Sequence, residues 1–151
     1  MGQIVNNRVL VMHGVNLDTL GRRDPEQYGT YTLIELEGRV HAFARELGLE
    51  ASFFQSNHEG EFCEQLHRGP EVADGLLLNC GAWTHYSYAI RDALEVAGLP
   101  AVEVHISEIE GREEWRRESV IRDLCVGHVQ GKGQEGYREA LQKLAGALRS
   151  P

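Results

Sequence analysis

Two groupings of side chains in this 151-residue chain are equipped to move protons. The first is Tyr28, preceded by the adjacent Arg22 and Arg23. A phenol with a pKa of about 10 is a poor base at neutral pH, but a guanidinium close to its oxygen favours the phenolate. A tyrosinate can then take a proton from a carbon next to a carbonyl. The loop alone equally allows an exposed Arg pair beside a packed Tyr. The second grouping is Glu103-Val104-His105. Alternate residues of a strand share a face, so the carboxylate can hold one imidazole nitrogen and make the ring a better proton donor near neutral pH. The same spacing also suits an ion pair at the edge of the core.

Other motifs point away from cofactor chemistry. Gly131-x-Gly133-x-x-Gly136 has the form of a dinucleotide-binding turn, yet the chain ends soon after the helix it opens. No later strand can supply the ribose-binding acid, so a close-packed turn is expected there. The seven His form no His-x-x-x-His or His/Cys spacing suited to a metal, and none is expected. Cys63, Cys80 and Cys125 are odd in number and lack a Cys-x-x-Cys, which suits reduced thiols in a cytoplasmic protein. The charged run from Glu113 to Glu118 reads mostly as a solvated face from which one Arg can turn inward.

These residues need a frame. Arg8 to Met12 reads as a first strand, followed by the long loop 13–29 with three Gly, one Pro, the Arg pair and Tyr28. Loops of that length between a strand and a helix are more often functional than idle, and this one is expected to act as a lid. Thr32 with Glu35 forms a capping-box signature for a helix closed by Gly48. Glu50 to Gln55 is expected as a second strand, and a short helix then ends near Gly69-Pro70. Gly75 to Asn79 is continuously apolar up to its last residue, as in a parallel strand buried on both faces. A loop from Cys80 to Tyr86, a helix stopped by Gly98 and Pro100, and a fourth strand from Ala101 to His105 follow. A short helix from Glu108, a weak fifth strand from Leu124 to Val129 and a last helix from about Gln134 complete the chain.

The alternation of strand and helix predicts one α/β domain over residues 1–151: a flavodoxin-like, doubly wound, five-stranded parallel sheet in three layers. Ligands of such sheets sit at the carboxyl ends of the strands. Those ends deliver His13 and Asn16, Asn79 with His85, and His105 with Ser107. A net charge of −8 argues against nucleic acid as the main partner, and no apolar run approaches the roughly 18 residues of a membrane span.

Taken in order, these stretches resemble the type II 3-dehydroquinate dehydratase family. The resemblance covers nearly the whole chain. Asn16-Leu17-x-x-Leu20-Gly21-x-Arg23-x-Pro25-x-x-Tyr28-Gly29 is similar to its lid motif, and Asn79-x-Gly81-Ala82-x-Thr84-His85 with Ala89-x-Arg91-Asp92-Ala93 to its second block. Glu103 to Ser107, Arg112-Glu113-Glu114-x-Arg116, and Gly131-x-Gly133-x-x-Gly136-Tyr137 resemble the remainder. The resemblance implies an anti elimination of water from 3-dehydroquinate to 3-dehydroshikimate through an enol(ate), without cofactor or metal. It implies that Tyr28 is the base, activated by Arg23, and that Asn16 holds a water against the enolate oxygen. His105 would be the acid, oriented by Glu103 and assisted by Asn79. The backbone N–H groups of Ile106 and Ser107 would take the substrate carboxylate, His85 and Arg116 the ring hydroxyls, and Asp92 would reach a neighbouring subunit's site. A cytoplasmic homododecamer built from trimers, serving the shikimate pathway of aromatic amino acid biosynthesis or quinate breakdown, is implied too. The chain departs from the family pattern at His13, Val15 and Cys80, and over 118–126, where the usual His-Ser start and Pro are missing. Those departures leave the alternative of a catalytically impaired paralogue that binds a related cyclic hydroxy acid without turnover.

Overall fold

In a computed structural model that describes residues 6–149, five parallel strands form one sheet in the order β2-β1-β3-β4-β5. They are β1 (Arg8–His13), β2 (Glu50–Gln55), β3 (Gly75–Asn79), β4 (Ala101–Val104) and β5 (Gly127–Val129). Helices α1 (Pro25–Tyr28), α2 (Leu33–Glu46), α3 (Glu59–Val72), α4 (Tyr88–Ala97) and α5 (Glu135–Arg149) lie between and after them.

Period-two alternation along the strands divides the core into two layers. Val9, Val11, Leu77, Val102 and Val104 pack with α2 and α5 on one face. Leu10, Met12, Leu76, Leu78 and Ala101 pack with α3 and α4 on the other. Every residue of β3 is buried, as its unbroken apolar run predicts. The helix α2 carries the expected capping box: Thr32 Oγ1 accepts the Glu35 N–H at 3.2 Å, and Glu35 Oε1 accepts the Thr32 N–H at 2.9 Å. Among the described residues no helix is long and apolar enough to cross a membrane.

Several boundaries differ from expectation. Helix α3 does not stop at Gly69-Pro70 but runs through Pro70 to Val72. The missing N–H costs one bond in the last turn, while the Ala73 N–H still reaches the Gly69 carbonyl at 2.9 Å. The weak fifth strand shortens to Gly127–Val129, because Arg122–Leu124 form a 3₁₀ turn before it. The helix expected from Glu108 is two 3₁₀ turns, Ile109–Gly111 and Glu114–Arg117, and the loop after β3 contains another, Gly81–His85. The long loop also holds structure of its own, a 3₁₀ turn at Leu17–Thr19 and α1, which is capped by Asp24 and opened by Pro25.

Candidate active site

The chain leaves β1 toward β2 on one side and returns to β3 on the other, so a crevice opens where the strand order reverses. Two glycines let the backbones meet at its floor. A Cβ on Gly14 would stand 2.3 Å from the Cys80 carbonyl oxygen, and one on Gly81, whose φ is +62°, would stand 2.7 Å from the Val15 carbonyl oxygen. The pocket above them is lined from the lid by Asn16, Arg23 and Tyr28, and from the strand ends by Asn79, His85, His105, Ile106 and Ser107. Arg112 and Arg116 complete the wall.

On the scaffold side, the strand pairing of Glu103 and His105 becomes a hydrogen bond. His105 Nε2 lies 2.6 Å from Glu103 Oε2, with Glu103 fully buried. Glu103 Oε1 accepts from Ser119 Oγ at 2.7 Å, and Oε2 also accepts from Arg122 Nη2 at 2.9 Å. Burial alone would raise the pKa of this carboxyl. The His105, Arg122 and Ser119 hydrogen bonds outweigh it and hold the group ionised, at about 2. His105 Nδ1 has no protein partner among the described residues and is left to the pocket. The His85 ring lies stacked 6.2 Å from that of His105 and is fixed by its Nδ1 at 2.6 Å from the Glu118 carbonyl oxygen. Burial lowers its pKa from the ordinary imidazole value.

Beneath them, Asn79 is oriented at both ends. Its Oδ1 accepts the Gly81 N–H at 3.2 Å, and its Nδ2 donates to Tyr137 Oη at 3.0 Å. His13 was expected among the polar groups at the rim. It is instead fully buried, with Nε2 2.8 Å from Tyr137 Oη. Burial lowers its pKa to about 4, so it is neutral, and its Nδ1 has no partner. Being the last residue of β1, its side chain points into a sheet layer rather than to solvent.

On the lid side, Asn16 adopts φ +70°, a conformation that Asn tolerates better than most side chains, and its N–H donates to Asn57 Oδ1 at 2.8 Å. Tyr28 is 8% exposed. The Arg23 guanidinium carbon lies 3.8 Å from the centre of its ring, over the face. The guanidinium that hydrogen-bonds the phenol oxygen is a different one: Arg112 Nη1 donates to Tyr28 Oη at 2.7 Å and to Ser107 Oγ at 3.1 Å. The carbonyls of Ile106 and Ser107 accept from Gly133 and Gly131, while their own N–H groups meet no protein acceptor among the described residues. Arg116 is held by Glu113 at 3.0 Å. Asp92 lies exposed on α4 and does not line this pocket.

A family model described as dehydroquinase class II matches residues 7–145. The chain belongs to this family. Among relatives, the 3-dehydroquinate dehydratase of Pelobacter propionicus is 50% identical over 135 residues, covering 89% of this chain and 91% of the relative. The protein of the same name from Thermotoga neapolitana is 51% identical over 135 residues, covering 89% and 92%. The crystal structure of a type II dehydroquinase from Butyrivibrio crossotus superposes with a TM-score of 0.87 at 38% identity, covering 92% of this chain and 97% of that one.

Four side chains matter to the site without having been singled out from the sequence. Arg112 stands inside a recognised block but without a role, because its reach to Tyr28 spans 84 positions. Arg122 and Ser119 meet Glu103 from a segment with no motif. Tyr137 reads as a core residue of the last helix, and only its hydroxyl contacts reveal more. Among the described residues no cluster of His, Cys, Asp and Glu is arranged to hold a metal ion.

Proposed function

We propose that this chain dehydrates 3-dehydroquinate to 3-dehydroshikimate by an anti elimination through an enolate. The observation that carries the reading is the Arg112 guanidinium on the Tyr28 oxygen in a pocket that also presents His105 backed by buried Glu103. A cation at hydrogen-bond distance stabilises the tyrosinate that must exist before proton transfer. Tyr28 takes a proton from C2, and the electron pair of that bond becomes the enolate, its charge on the oxygen at C3. Asn16 holds a water against that oxygen, an oxyanion-type role. The enolate then re-forms the carbonyl, the C1–C2 double bond forms and the C1 hydroxyl leaves as water with a proton from His105.

The free N–H groups of Ile106 and Ser107 suit the substrate carboxylate. His85 and Arg116 suit the ring hydroxyls, and Asn79, fixed from below by Tyr137, assists the acid. Arg23, over the ring face, adds positive charge to the base. The exposure of Asp92 fits a role in the site of a second copy, within a homododecamer built from trimers in the cytoplasm. Light scattering of the purified protein tests that assembly. The shikimate pathway is the setting we assign to the reaction.

The experiment is direct. Purified protein is mixed with 3-dehydroquinate, and absorbance of the conjugated enone is followed. Growth of the signal with wild type and its loss with Tyr28→Phe support the reading. Ligand-dependent thermal stabilisation without any conversion would instead identify a non-catalytic binder.

A further inference from the structure

Glu103 Oε2 has two donors, and only one of them belongs to the acid. His105 Nε2 reaches it at 2.6 Å and Arg122 Nη2 at 2.9 Å. Glu103 is the one carboxylate paired with Arg122 among the described residues, and Arg122 Nε is buried with no partner of its own. The arginine therefore gives up hydration to stand against this single carboxylate. It does not line the pocket.

Its placement is enforced by the turn that carries it. Ser119 Oγ accepts the Arg122 N–H at 3.2 Å while donating to Glu103 Oε1, so one hydroxyl ties the turn to the carboxylate. The next residue, Asp123, takes a two-pronged contact from Arg91 of α4 at 2.5 and 2.9 Å, and Arg91 also donates to the Val120 carbonyl at 2.8 Å. The Val120 N–H in turn donates to the Thr84 carbonyl at 2.8 Å. These contacts fix the segment between β4 and β5 from two sides.

We propose that Arg122 is a positioning residue that sets how readily His105 releases its proton. A carboxylate shared with a permanent cation holds an imidazolium less tightly than one that faces the ring alone, since part of its charge is already neutralised. With Arg122 in place, His105 donates more readily to the departing hydroxyl. The proposal rests on His105 being the acid of the reaction proposed above.

Other charged groups around the acid stay constant in the comparison that tests it. His105 faces His85 from the 3₁₀ turn after β3, Arg112 and Arg116 from the segment after β4, and Arg23 and Tyr28 from the lid. Glu103 also faces the Cys80 and Cys125 thiols, which burial keeps neutral. None of these touches the Arg122 guanidinium through a hydrogen bond or ion pair.

Arg122→Gln retains a donor and removes the charge, whereas Arg122→Lys retains the charge. The His105 ring is titrated by NMR of histidine-labelled protein, and the pH profiles of kcat and KM are recorded beside it. In Arg122→Gln the His105 midpoint rises by about one pH unit, the high-pH limb of kcat moves the same way, and KM stays constant. Arg122→Lys returns the midpoint toward wild type. An unmoved midpoint in folded Arg122→Gln, no recovery in Arg122→Lys, or loss of the fold in both variants overturns the proposal and leaves Arg122 a structural residue. The titration needs no turnover. A wild type inert toward 3-dehydroquinate therefore refutes the proposed reaction while the Arg122 effect on the ring is still read.

Discussion

The two sides of the pocket hold His105 and Tyr28 by different means. His105 follows a strand paired on both sides, its own N–H bonds the Val129 carbonyl at 2.9 Å, and its carboxylate partner lies inside the sheet. Tyr28 rides on a four-residue helix that could not persist alone. What holds its oxygen and its ring face are two arginine side chains, one five residues away in the lid and one across the pocket. Backbone pairing fixes His105, while Tyr28 is in place only as long as side-chain contacts hold the loop 13–29 against the pocket. Substitutions on the Tyr28 side should therefore lower activity alone, and those on the strand side activity and stability together.

The largest expected effect is on turnover alone. Tyr28→Phe should lower kcat by about 10²–10⁴-fold while the thermal midpoint stays near wild type. Leu17, Leu20 and the Tyr28 ring already pack in the core, so a variant that unfolds would make the Tyr28 hydroxyl itself a determinant of stability and break the contrast. On the scaffold side, Glu103→Ala should abolish activity and also cost about 3–5 kcal/mol of stability in denaturant melts, because Arg122 and His105 are left without their shared carboxylate.

A pH effect of similar origin comes from His13. Its pKa is about 4 when folded, below the ordinary 6.5 that it regains on unfolding. The folded state therefore binds fewer protons through that window. Stability should be full above pH 6.5 and fall by about 3 kcal/mol as pH drops to 4. Denaturant melts across that range check the slope, and His13→Asn should remove its share. The smallest contrast lies within the lid's own clamp. Arg112→Gln, which weakens a charged hydrogen bond worth about 1.5–3 kcal/mol, should reduce kcat roughly ten- to a hundredfold. Arg23→Gln, which removes a contact over the ring face worth about 0.5–1 kcal/mol, should cost only a few-fold. Equal losses would place the two arginines on the same footing and blur the distinction between them.

The fold was legible because its signals are local. Continuous apolar runs mark buried parallel strands, and Thr32 with Glu35 marks a helix start whose cap forms as expected. The Glu103–His105 hydrogen bond was legible for the same reason, the two residues being two apart at the end of one strand. What stayed hidden is what the chain brings together over distance. Nothing near Arg112 says that it reaches Tyr28, and nothing near Arg122 says that it reaches a carboxylate 19 positions earlier. His13 misled because the polarity of its side chain suggests a rim, whereas the hydroxyl of Tyr137, 124 positions away, holds its Nε2 in the interior. Pro70 misled because a proline in a last turn removes one bond without ending the helix.

The lid carries a further consequence through its adjacent arginines. Arg22 is exposed and Arg23 is half-buried over Tyr28. Together they offer a trypsin-like protease consecutive cleavage points in a segment that lies outside the sheet. Cutting requires local opening, so the nicking rate measures the fraction of molecules whose lid is raised. A ligand that fills the pocket against Arg112 and Tyr28 should slow that cut. A limited digest then becomes a gauge of occupancy that needs neither turnover nor a coloured product.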